Sequence, residues 1–190
     1  MNFALAALII AYLEIPMGVL GGIMIVDMIR SDRGRLHDLD VQKKEIASDD
    51  AKSKVTVSGH WVKRTDLNPK ASLQAAWPGK EMYLIVISDP KSTVPNMTLE
   101  QHNELTRDHM LQKLRNSSAT QPVSLSVDSH PALQEELRGT DERGANIVLL
   151  NTSLDDADNF YQILAWTLKS GWQAHQQELR DATQSFHIEK

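Results

Sequence analysis

From Val55 onward the spacing of apolar positions alternates between two periods, and that alternation divides the chain into elements. Val55 to Val62 and Ser72 to Trp77 carry apolar and polar residues in the two-residue rhythm of short strands. Met82 to Ile87 is nearly all apolar, as expected of a central strand covered on both faces. Pro90 and Pro95 then demand a loop, and Thr98 with Gln101 forms a capping box that opens a helix running to about Arg115. Asn116-Ser117-Ser118 is expected to stop that helix. Strands recur at Val123 to Val127, Ala132 to Arg138, Asn146 to Ser153 and Asn159 to Leu168, with Asp141 to Gly144 as the turn between the second and third. The chain closes with a helix whose Trp172, Leu179, Ala182 and Phe186 form an apolar stripe, started by a second capping box at Ser170 and Gln173. Strands bunched between two helices predict an α+β fold with an antiparallel sheet flanked by helices.

The order of these elements and certain residues within them resemble the PsbP-like fold, an α/β/α sandwich. The matching features are the strand Tyr83 to Ser88 with the Thr98 helix after it, His130-Pro131-Ala132 before a strand holding Arg138-Gly139, Phe160-Tyr161-Gln162-Ile163, and the helix end Thr183-Gln184-Ser185-Phe186. The resemblance covers about residues 55–187. It includes the extrinsic photosystem II protein, a Ran-binding import factor, DcrB lipoproteins and the Eag chaperones. These members do unrelated jobs, so the resemblance implies an architecture and leaves the role open.

Upstream of this domain, Phe3 to Ile29 is apolar apart from Glu14 and Asp27, long enough as a helix to cross a hydrocarbon layer of about 30 Å. A transmembrane anchor over residues 1–30 is the leading expectation, with a cleaved signal peptide or a soluble or interfacial hairpin as alternatives. Glu14 would then be a membrane-buried acid facing a partner or held neutral. Arg30, Arg33 and Arg35 follow the span, which by the positive-inside rule puts the large C-terminal part in the cytoplasm; a periplasmic placement is the alternative. The organisation expected is a single-pass protein of the bacterial inner membrane. Residues 31–54 balance basic against acidic side chains with few apolar ones, which predicts a charged stalk leading to a domain at residues 55–190.

A formal charge of −5 with no basic run in the folded part argues against nucleic acid. The absence of cysteine excludes thiol nucleophiles, zinc-thiolate sites, disulfides and an acylated cysteine. There is no nucleophile elbow, phosphate-cradling loop or His-Glu-x-x-His, so the expectation is a binding module, not an enzyme, with no cofactor and no metal. Trp77, Tyr83 and His130 are the candidate binding residues, and the partner expected is a protein or peptide held on a contiguous exposed apolar patch. The competing reading is a metal-assisted hydrolase in which His130 works with Glu135, Glu136 or the loop aspartates Asp155, Asp156 and Asp158. A third reading makes the chain a structural subunit of a membrane complex, contacted through Glu14. His102 and His109 stand about 10.5 Å apart along the first helix and are expected at its surface.

Overall fold

A computed structural model describes residues 42–189. The expected anchor, Glu14, Arg30, Arg33, Arg35 and the first part of the expected stalk lie outside the described residues. Strands β1 (Lys43–Ala47) and β2 (Ser53–Ser58) form a small antiparallel sheet that β11 (His187–Ile188) completes in the order β1-β2-β11. The large sheet holds β3 (Val62–Lys63), β4 (Leu73–Trp77), β5 (Met82–Pro90), β6 (Arg115–Ala119), β7 (Val123–Val127), β8 (His130–Thr140), β9 (Asn146–Asp155) and β10 (Asn159–Leu168). Its order is β3-β4-β5-β10-β9-β8, after which β6 and β7 both pair with β8. Every pairing is antiparallel.

Each face of the large sheet has its own core, because β5 and β10 are apolar at odd and even positions alike. Leu84, Val86, Ile163 and Ala165 face one side, with Ile46, Val55 and Val57 of the small sheet and Trp172, Leu179 and Phe186 of the closing helix α2 (Trp172–Gln184). Ile85, Ile87, Leu164 and Trp166 face the other, beneath helix α1 (Leu99–Lys113). The result is the α/β/α sandwich expected, with the small sheet sharing the α2 layer.

Several local expectations are corrected. The stretch read as stalk is strand by Lys43, because Ile46 is buried in the α2-side core while its charged neighbours face solvent. Val55 to Val62 is two strands in different sheets, divided by a turn that buries Trp61, whose Nε1 donates to Glu178 of α2 at 2.9 Å. Asn116 to Ser118 does not merely stop α1; the chain re-enters the sheet as β6, with a bulge between Arg115 and Ser118. The capping box at Thr98 and Gln101 is present. The one expected at Ser170 is not, because α2 begins one residue later at Gly171, where a Cβ would stand 2.9 Å from the His175 ring. Ser185 instead ties the end of α2 to β2, accepting from the Thr56 amide at 2.9 Å while donating to the Ala182 carbonyl at 2.7 Å.

Candidate functional site

Helix α1 meets the sheet through an unusual stripe. At helical spacing its buried residues are His102, Asn103, Thr106, His109 and Met110, so four of the five inward positions are polar. Beneath them β9 presents Asn151 and Ser153, β10 presents Gln162, β8 presents Glu135 and β5 presents Asp89, all buried. His102 Nε2 lies 3.2 Å from Asp89, and its ring stacks on Phe160 with centroids 4.7 Å apart. Asn103 and Asn151 both donate to one oxygen of Glu135, at 3.0 and 3.2 Å, and Gln162 donates to Asn151 at 2.9 Å. The seam is incompletely satisfied: His102 Nδ1, Glu135 Oε2, Ser153 Oγ and Gln162 Oε1 are buried with no hydrogen-bond partner. Burial pushes the Glu135 carboxyl above its ordinary range, outweighing the two amide donors and the nearby Arg107 charge that favour ionisation. The expectation of surface histidines is therefore overturned, because the face that α1 turns inward is polar.

The named candidates do not share a surface. Tyr83 is buried on the α1 side and stacks on Trp166 at 5.3 Å. Trp77 is half-buried at the end of β4 on the α2 side, with the His60 ring parallel to it at 4.3 Å and the Lys80 ammonium 5.8 Å from its centroid. His130 opens β8, on the same face as Ala132, near enough that it is among the groups holding the Asp128 and Asp156 carboxyls below their usual range. Four of the carboxylates expected to assist His130 are engaged in other contacts. Glu135 points into the α1 seam, Glu136 pairs with Arg138 and Arg180, and Asp155 pairs with Lys91. Asp156 accepts from two backbone amides and from Tyr161, whose hydroxyl burial and this carboxylate push up beyond the usual phenol range. Among the described residues no group of three His, Asp or Glu converges to hold a metal ion.

The expected apolar patch is also missing among the described residues: the exposed large hydrophobic side chains are Val62 and Val123, on strands at opposite ends of the large sheet. Val123 is 64 % exposed and opens β7, whose sequence is Val-Ser-Leu-Ser-Val. Strand β7 is tied to β8 by a two-residue turn at Asp128 and Ser129, with φ of 51° and 66°, the paired left-handed geometry of a type I′ hairpin. In such a hairpin Val127 and His130 exchange both backbone bonds. By alternation Leu125 and Val123 also bond to β8, while Ser124 and Ser126 direct their N–H and C=O outward.

The other edges of the two sheets are blunted. Strand β1 carries Lys43, Lys44 and Glu45, β3 and β11 have two residues each, and β6 is bulged. Those are the devices by which edges avoid pairing. Strand β7 has no charge, no proline and no bulge within it.

No family model and no curated protein matches the chain. Solved structures do. The PsbP protein of the cyanobacterium Synechocystis (CyanoP) is similar over 90 % of this chain and 99 % of its own, at TM-score 0.56 and 12 % identity. LpqN, described as involved in cell envelope biogenesis of Mycobacterium tuberculosis, is similar over 78 % of this chain and 91 % of its own, at TM-score 0.56 and 10 % identity. The Ran-binding protein Mog1p of Saccharomyces cerevisiae is similar over 77 % of this chain and 95 % of its own, at TM-score 0.55 and 11 % identity. The chain has the PsbP-like fold.

Proposed function

We propose that this protein is a membrane-anchored, non-enzymatic binding module that takes an extended segment of a protein partner as an added strand on the edge of β7 that no other described strand pairs with. The observation that carries the proposal is the coincidence on one strand of outward backbone groups at Ser124 and Ser126 and, among the described residues, the most exposed large apolar side chain, Val123. Strand addition draws its affinity from main-chain hydrogen bonds and its specificity from alternate side chains, so it needs no broad apolar patch. A fold shared with a Ran-binding protein and with a protein of cell envelope biogenesis is in keeping with a binding role. The apolar run from Phe3 to Ile29 supports attachment to the bacterial inner membrane, and Arg30, Arg33 and Arg35 favour a cytoplasmic domain.

The test uses the full chain in bacterial cells with a photoreactive amino acid at position 126. An adduct to a second polypeptide that is lost on adding Ser124→Pro supports the proposal, because that change removes an outward N–H without touching the ladder to β8. No adduct, or one indifferent to the proline, refutes it.

A further inference from the structure

We infer that the strand received by β7 is the β7 strand of a second copy of this chain, an inference that rests on the strand-addition reading above. The five residues of β7 form a palindrome, Val123-Ser124-Leu125-Ser126-Val127. A two-fold axis through Leu125, perpendicular to the sheet, sets two copies antiparallel, with Leu125 facing Leu125, Ser124 facing Ser126 and Val123 facing Val127. The backbone phase agrees with that register. Ser124 and Ser126 are the residues whose amide and carbonyl point outward, and the two-fold places them opposite each other as pairs that exchange both bonds. Had the axis fallen between residues, outward groups would have met inward ones and no ladder would have formed.

The side chains agree as well. Residues directly opposite in an antiparallel pair share a face, so the apolar members of both strands gather on the α2 side. There Leu125 and Val127 already pack against the core, and the exposed Val123 gains a branched neighbour from the other copy. The serines gather on the opposite face. With no charged residue in β7, two copies meet without like-charge repulsion, whereas pairing through β1 would bring Lys43 and Lys44 of both copies to one seam. A closed two-fold contact of this kind is self-limiting, because it consumes the edge that forms it. So short a seam buries less than the ~1,200 Å² of a standard stable interface, so the dimer is concentration-dependent. Attachment of both copies to one membrane would raise their effective concentration.

The natural sequence has no cysteine, so one introduced thiol reports alone. Leu125→Cys puts two thiols across the axis in a close pair, with Cα atoms about 4.5 Å apart, inside the range a disulfide accepts. Glu142→Cys, exposed on the β8–β9 turn, is the control. With the full chain in detergent under mild oxidant, the expected result is a disulfide-linked dimer for Leu125→Cys and monomer for Glu142→Cys, with the dimer lost when Ser124→Pro is added. Because Leu125 is half-buried, the otherwise natural chain is measured too: its polypeptide mass should double with rising concentration, and Ser124→Pro should abolish the doubling. Equal cross-linking at both cysteines, or a mass that stays monomeric throughout, overturns the inference. The photo-adduct at position 126 separates the two failures. An adduct to a different polypeptide, lost with Ser124→Pro, keeps strand addition and rejects the second copy, and absence of any such adduct rejects both.

Discussion

Glu135→Gln should make the protein more stable at neutral pH, although it removes a buried, hydrogen-bonded carboxylate. One oxygen of Glu135 accepts from Asn103 and Asn151 at 3.0 and 3.2 Å, and the glutamine carbonyl can accept both bonds in its place. The other oxygen is buried without a partner. An unsatisfied buried polar group costs about 1–3 kcal/mol, more when charged, while a hydrogen bond to a charged group contributes about 1.5–3 kcal/mol. Burial prevails over the donors, since the carboxyl is held above its ordinary range. Glutamine removes the burial cost of the charge and keeps an acceptor for both amides, so we expect a rise in Tm at neutral pH.

The pH dependence sharpens the test. Because the native carboxyl holds its proton to higher pH than the unfolded one, the native state binds more protons between the two values, and stability falls as pH rises through that window. Below the ordinary value of 4.5 both states are protonated, and the glutamine variant should lose its advantage. The advantage should appear as pH rises from there through the raised native value and persist to neutrality. Thermal unfolding of the full chain in detergent from pH 4 to 7.5, read as the difference between variant and natural protein, measures this directly. A variant less stable at pH 7, or a difference independent of pH, would refute the assignment of Glu135 as a charge held against its burial.

Two further outcomes follow from local geometry. Gly139→Ala should cost about 1–3 kcal/mol, since its Cβ would stand 2.7 Å from Leu114 Cβ and 3.1 Å from the Arg115 carbonyl where α1 passes into β6; an unchanged denaturation midpoint would contradict that close approach. Asp128 pairs with His187 at 2.6 Å and accepts from the Ile188 amide at 2.9 Å, and although burial opposes ionisation these donors hold its carboxyl below the usual range. Its stabilising contribution is present above the ordinary value of 3.8 and lost as pH falls through the depressed one, so Asp128→Ala should free β11 at neutral pH, seen as faster amide exchange at Ile188, with the difference fading in strong acid.

What the sequence disclosed follows from which faces are apolar. Strands β5 and β10 are legible because both their faces are buried, and α2 because its inward stripe is Trp172, Leu179, Ala182 and Phe186. Helix α1 was found only through its cap, since its inward stripe is His, Asn, Thr, His and Met and pattern reasoning assigns such residues to solvent. Asn151 and Ser153 interrupting the apolar run of β9, with Gln162 opposite Ser153 in β10, were the available sign of a polar seam. Strands β1 and β6 were lost because an edge strand that faces water can be charged or polar throughout. The β7 strand was located to the residue, yet its free edge depends on which strand β8 turns toward, a long-range matter that no local pattern carries.

The polar seam and the open edge are adjacent in construction. Glu135 stands on β8 between Gln134, the partner of Val123 in β7, and Glu136, whose carbonyl accepts from the Thr120 amide at 3.0 Å and whose amide donates to the Thr120 hydroxyl at 3.0 Å. Thr120, bonded to Glu136, therefore joins the end of β6 to the start of β7 past Glu135, together with Gln121 and Pro122. Helix α1 is fixed above the same point by Asn103, and its end, Leu114, rests on Gly139 of the same strand. An apolar seam tolerates small slides, but a seam of directional hydrogen bonds holds only where donors and acceptors coincide. By locking α1 against β8 at one position, the Asn103–Glu135–Asn151 bonds also set where the chain re-enters the sheet as β6. The phase in which β7 turns Ser124 and Ser126 outward is set from the other end of the strand, by the Asp128–Ser129 turn that pairs Val127 with His130.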